Sequence, residues 1–123
     1  MTLPFADPAT LILPTADEPA PAVVRGWVRI ELAAVPVVPR LRTAFVAEEL
    51  VRNARQHGEP PFVLRVALDR SVSALRVYVE DCAPHSGGAW RTRGGLALVD
   101  GLSRGWGVER RVRAKTVWAE VPL

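Results

Sequence analysis

Residues 47–68 read AEELVRNARQHGEPPFVLRVAL, and inside this stretch the hydrophobic period changes. Ala47, Leu50, Val51 and Ala54 fall three and four apart, the spacing that lines one side of a helix. Gly58 and the pair Pro60–Pro61 then stop the helix, because proline cannot continue it and glycine ends it without strain. Directly beyond, Phe62, Leu64, Val66 and Leu68 alternate with their neighbours, so they share one face of a strand. A helix with one apolar stripe handed to a strand with one apolar face predicts a helix layer packed on a sheet.

Working backward, this helix should begin near Arg40, since Pro36 and Pro39 separate it from an earlier amphipathic pattern. That pattern starts at Val23 and places Val23, Trp27, Ile30 and Ala34 on one stripe, which predicts a first helix. Residues 1–22 hold Pro4, Pro8, Pro14, Pro19 and Pro21 and are expected to be an arm, with Thr10 to Leu13 able to form a short edge strand.

Working forward, Asp69 to Ser73 reads as a turn into a second strand carrying Leu75, Val77 and Val79. Asp81 to Arg93 contains Pro84, Gly87 and Gly88 without periodicity and is expected to be a loop long enough to serve a function. Gly94 and Gly95 open a short helix to about Leu102, and strands follow at roughly 105–111 and 116–121, where Val117, Ala119 and Val121 alternate with Trp118 and Glu120. The order ααββαββ predicts an α+β two-layer sandwich over residues 23–123, with an antiparallel or mixed sheet and the helices on one face.

Composition narrows the class. A chain of 123 residues with 49% hydrophobic and 24% charged residues can bury a core, and its single cysteine, Cys82, excludes a disulfide scaffold. No apolar run approaches the roughly 18 residues of a membrane span, and no signal-like segment opens the chain, so a cytoplasmic location without membrane attachment is expected. The net charge is +3, and fifteen of the sixteen basic residues are arginine, Lys115 being the exception. Arg91, Arg93, Arg104, Arg110, Arg111, Arg113 and Lys115 concentrate near the end, a region suited to phosphate or an acidic partner. A DNA-binding domain would rest on that region alone, and no recognition-helix pattern accompanies it.

The helix before Gly58 carries two polar stripes where one would suffice. Glu48, Arg52, Arg55 and Glu59 read as a solvated face with an ion pair, whereas Glu49, Asn53 and His57 lie beside Val46 and Leu50 and can line a cleft. A carboxylate and a carboxamide one turn apart suit a shared site, the amide oxygen ligating a hard cation such as Mg2+ and the carboxylate accepting a proton. Asp81 ends a strand at the mouth of the long loop, and the glycines before Leu96 put free N–H groups at a helix start, which suits an anion.

Taken in order, AEELVRNARQHG at 47–58, VYVED at 77–81, GGLALVDGLSRGWGV at 94–108 and KTVWAEV at 115–121 resemble the GHKL (HATPase_c) superfamily. The similarity is to the anti-sigma-factor serine/threonine kinases, in the small single-domain form abundant in actinobacteria. The resemblance implies the Bergerat ATP-binding fold, with ATP and Mg2+ as cofactors. It implies Asn53 as the Mg2+ ligand, Glu49 as the catalytic base, and His57 near the phosphates. It further implies Asp81 as the acceptor for the adenine amino group, assisted by Thr116, and Gly94, Gly95 and Leu96 as the glycine box that holds the phosphates. Ala83 falls in the first glycine box, where the family has D-x-G-x-G and this chain has Asp81-Cys-Ala-Pro-His85, so Ala83 and His85 put side chains where the family has none. Arg93 likewise replaces the first glycine of the second box, and twelve residues, Cys82 to Arg93, form the lid.

The activity so implied is phosphorylation of a STAS-type anti-sigma-factor antagonist together with sequestration of a sigma factor, without direct contact to nucleic acid. Dimerisation is part of the same implication, as is a partner surface around the first helix, which here carries Arg25, Trp27 and Arg29. The alternative is an interaction module that keeps the fold without catalysis.

Overall fold

The computed structural model describes residues 8–15, 21–82 and 95–123. Strand β1 (Ala9–Leu13) is followed by helices α1 (Pro21–Glu31) and α2 (Val37–His57), strands β2 (Phe62–Asp69) and β3 (Ala74–Asp81), helix α3 (Gly95–Leu102), and strands β4 (Gly105–Arg110) and β5 (Lys115–Pro122). The five strands form one sheet in the order β1-β2-β3-β5-β4, every neighbouring pair antiparallel. The fold is the expected α+β two-layer sandwich. The edge strand near residue 10 does form, pairing Ala9 through Leu13 with Val66 through Phe62 and sending Leu13 into the core.

Strand alternation decides which residues meet the helices. Phe62, Leu64 and Val66 of β2, Leu75, Val77 and Val79 of β3, and Val117, Ala119 and Val121 of β5 are buried together with Val46, Ala47, Leu50, Val51 and Ala54 of α2. Leu96 and Val99 of α3 join the same core. Truncating one of the fully buried leucines, such as Leu50, to alanine should cost about 2–5 kcal/mol.

Two helix boundaries differ from expectation. α2 starts at Val37 because Pro39 falls in its first turn, where no backbone N–H is needed, and Thr43 Oγ1 donates back to the Pro39 carbonyl at 2.7 Å. α1 starts at Pro21 and turns a different stripe inward: Val24 and Val28 are buried, as is Leu32 just past the helix end, Trp27 is half-buried against the core, and Val23 and Ile30 are exposed. Apolar residues occupy two adjacent stripes of α1, so periodicity could not choose between them.

The sheet's other face bears a row that crosses four strands: Arg65, Tyr78, Trp118 and Gly107 stand opposite one another in register. A Cβ on Gly107 would lie 2.9 Å from Trp118 Nε1, so the indole needs a glycine there. At the β2–β3 turn, Asp69 Oδ1 accepts from Ser71 N at 3.0 Å and from Ser71 Oγ at 2.6 Å. Arg76 links Asp69 to Glu120, each at 3.4 Å, and Arg104 joins Glu120 at 3.3 Å. The sheet edges are β1, bounded by Pro8 and Pro14, and β4, which ends in Glu109 and Arg110.

Candidate functional site

α2 lays its polar residues along the flank of its buried stripe. Glu49 is buried, Asn53 half-buried and His57 exposed, so the line climbs from the core toward solvent as the helix approaches Gly58. Glu49 Oε1 accepts from Arg52 Nη1 at 2.8 Å. The Glu48 stripe, expected to face water, instead lies at the seam with α1: the Glu48 side chain is 13% exposed and pairs with Arg25 Nε at 3.2 Å. Arg52 also reaches Glu48 Oε1 at 3.6 Å, so one arginine bridges both carboxylates and the two stripes are coupled. Arg25 is therefore engaged within the protein, while Arg29 is exposed.

The end of α2 meets the end of β3. Gly58 N donates to the Ala54 carbonyl at 2.7 Å, and Cys82 N donates to the Glu59 carbonyl at 2.9 Å, which ties the chain after α2 to the chain after β3. A Cβ on Gly58 would sit 2.3 Å from Asp81 Cγ. Gly58 has an ordinary φ of −124°, so glycine is required here by the close approach of the carboxylate and not by backbone conformation.

Asp81 and Lys115 face each other directly in the β3–β5 register. Lys115 Nζ lies 3.5 Å from Asp81 Oδ2, with the side chains 7% and 0% exposed. Lys115 thus occupies the core-facing side of β5, in line with Val117, Ala119 and Val121. The pairing was missed in the sequence, although two signals marked it: Lys115 is the only lysine among sixteen basic residues, and its parity matches the buried side of its strand.

The expected site residues are brought together only in part. Glu49, Asn53 and His57 share one line on α2, and Asp81 closes against the end of the same helix through Gly58. Thr116 points to the opposite side of β5, paired in register with Glu80 and in line with Trp118, so it does not stand beside Asp81. Leu96 buries its side chain in the core, and Gly95 is the first residue of α3. Ala83 and Gly94, together with His85 and Arg93 of the lid, lie outside the described residues. Below α3, Trp106 Nε1 donates to Asp100 Oδ1 at 2.9 Å, which fixes β4 to that helix.

The two ends of a nucleotide would ask different things of these residues. Asn53 offers a half-buried carboxamide oxygen of the kind Mg2+ accepts, beside the Glu49 carboxylate. Among the described residues no group of three or more His, Cys, Asp or Glu could hold a metal, so Mg2+ here would need oxygen ligands from the phosphates or water. At the base end, an adenine amino group needs a carboxylate oxygen it can reach. The Asp81 carboxylate lies between Gly58 and the Lys115 ammonium, so an adenine amino group would compete with Lys115 for it.

No family model matches the chain, and no curated protein matches it in sequence. Among solved structures, it is similar to the RsbU and RsbW domains of Rv1364c from Mycobacterium tuberculosis, with a TM-score of 0.72 and 22% identity. The match covers 96% of this chain and 33% of that one, so the chain spans about a third of its structural relative. What the two share at this identity is the fold.

Proposed function

We propose that the chain is a regulator of the anti-sigma-factor type, whose principal activity is capture of a sigma factor, with release governed by a STAS-type antagonist. Two independent supports agree on it: the ordered motifs resemble the anti-sigma-factor kinases, and the fold is shared with the RsbU/RsbW protein over nearly the whole chain. The observation that favours capture over phosphotransfer is the Asp81–Lys115 pair, which holds the base-reading carboxylate inside the protein. Capture needs only a formed surface, whereas phosphotransfer needs a bound nucleotide.

The test is titration of the purified chain with candidate sigma factors, with and without Mg-ATP. Capture in the absence of nucleotide at micromolar affinity or better is the expected result, and capture that appears only with Mg-ATP would overturn the reading.

A second reading, a serine/threonine kinase using ATP and Mg2+, is favoured by Glu49 and Asn53 standing one turn apart on α2. In it Glu49 accepts the proton of the attacking hydroxyl after parting from Arg52. Glu49→Gln should then lower phosphorylation of a STAS partner by about 10²- to 10⁴-fold while leaving nucleotide affinity near that of the wild type. Equal phosphorylation by the two proteins would remove Glu49 from that role.

A further inference from the structure

Charge pairing at the base end of the site leads beyond this reading. Lys115 is the only lysine in a chain that otherwise uses arginine for every cation, and it stands at a core-facing strand position. Arginine carries a planar fork that seeks two acceptors, whereas lysine ends in a compact charge on a flexible stem. A single buried carboxylate opposite in the sheet calls for the compact charge. Asp81 is that carboxylate, and it lies so close to Gly58, at the end of α2, that a side chain on Gly58 would overlap it.

We propose that Lys115 is a selectivity latch: its ammonium occupies the carboxylate that would otherwise accept the amino group of an adenine, so that the chain discriminates against adenine nucleotides until the pair parts. The inference rests on the anti-sigma-type reading only in taking Asp81 as the base-facing carboxylate. A base amino group competing for Asp81 offers a neutral donor where Lys115 offers a charged one, and hydrogen bonds from ionised donors are the stronger kind. It must also separate a desolvated pair, which costs the ammonium its attraction to Asp81. Both effects oppose the nucleotide. Removing the ammonium removes both.

The experiment compares the wild type with Lys115→Thr and Lys115→Met by calorimetric titration with Mg-ADP. The first variant shortens the side chain, and the second keeps its length and apolar stem without the charge. The latch predicts affinity at least about tenfold tighter in both variants, the low end of what parting a buried pair costs. Affinities within twofold across all three proteins, including no binding by any of them, would overturn it.

The wild type supplies a readout that does not depend on the variants folding. With one lysine in the chain, 15N-lysine labelling gives a single side-chain ammonium signal, that of Lys115. A signal that shifts or exchanges away as Mg-ADP saturates supports the latch, as does the absence of any response in signal and backbone spectrum at millimolar Mg-ADP. Saturation seen in the backbone spectrum with an unmoved ammonium signal overturns it. Sigma-factor capture by the wild type, measured separately, tests the parent reading and is indifferent to either result.

Discussion

Each end of the β2–β3 hairpin holds an aspartate against a cation, and the two ends are built differently. Near the turn, Asp69 shares Arg76 with Glu120, and Glu120 in turn shares Arg104, both arginines being more than 40% exposed. At the far end, Asp81 meets Lys115 with neither side chain appreciably exposed. The turn end distributes its charges over a network whose arginines water screens, so either arginine is dispensable even though Asp69 itself is buried. The buried end sets a carboxylate and an ammonium together away from solvent, where removing either one is costly. Arginine suits the first arrangement because its fork reaches two carboxylates, and lysine suits the second.

The sharpest break in that contrast should come from Lys115→Ala, which takes the ammonium away from the buried Asp81 carboxylate and is expected to cost about 3–5 kcal/mol by urea denaturation. A double variant, Asp81→Leu with Lys115→Met, should regain most of that loss, since apolar residues of similar volume replace a buried pair at little or no cost. If the single variant lost less than about 1 kcal/mol, the buried end would be no different in kind from the exposed one.

Gly58→Ala comes next, because its Cβ would lie 2.3 Å from the Asp81 carboxyl carbon, and overpacking of this kind costs about 1–3 kcal/mol. Combining it with Asp81→Ala should give a coupling of the opposite sign in a double-mutant cycle. Additive losses would mean that Gly58 serves the helix end alone.

At the exposed end Arg76→Ala should cost under about 1 kcal/mol and lose that effect in molar salt. The smallest effect is a pH dependence. The Ser71 hydroxyl, donating to Asp69, holds its carboxyl below the ordinary value against the opposing influence of burial, and the Ser71 amide and Arg76 add to the lowering. A carboxyl lowered in the folded state stabilises the protein above its unfolded pKa, and that contribution fades as pH falls through the folded value. Ser71→Ala should therefore be less stable than the wild type at neutral pH, and the two should converge from about pH 4 downward. A gap that stays constant to pH 2 would assign the serine a role in the turn alone.

Sequence periodicity carried the layers of the fold because β2, β3 and β5 each keep one face apolar, and α2 ends at an unambiguous glycine and two prolines. It did not carry the rotation of α1, where Val23, Val24, Trp27, Val28 and Ile30 leave two apolar stripes and only packing against α2 selects one. Nor did it carry the surroundings of Asp81. The resemblance at KTVW implies Thr116, but strand parity turns Thr116 to the open face and brings its neighbour Lys115 to Asp81. Parity counted back from Val121 through Ala119 and Val117 would have reached the lysine. The Arg25–Glu48 pair between α1 and α2 had no such signal, since it depends on how two helices cross.

The sheet's margins bear on a different matter, how the chain behaves when crowded. An unpaired strand edge is a template on which another strand can settle, and long edges invite aggregation. β1 offers only five residues between two prolines, neither of which has an N–H to donate, so an incoming strand would find a foothold too short to extend. At the opposite margin β4 is six residues long and runs into Glu109, Arg110 and Arg111, charges that a stacked neighbour would have to face. Among the described residues, sideways growth of the sheet is thus discouraged at both margins, which favours a chain that stays dispersed at high concentration.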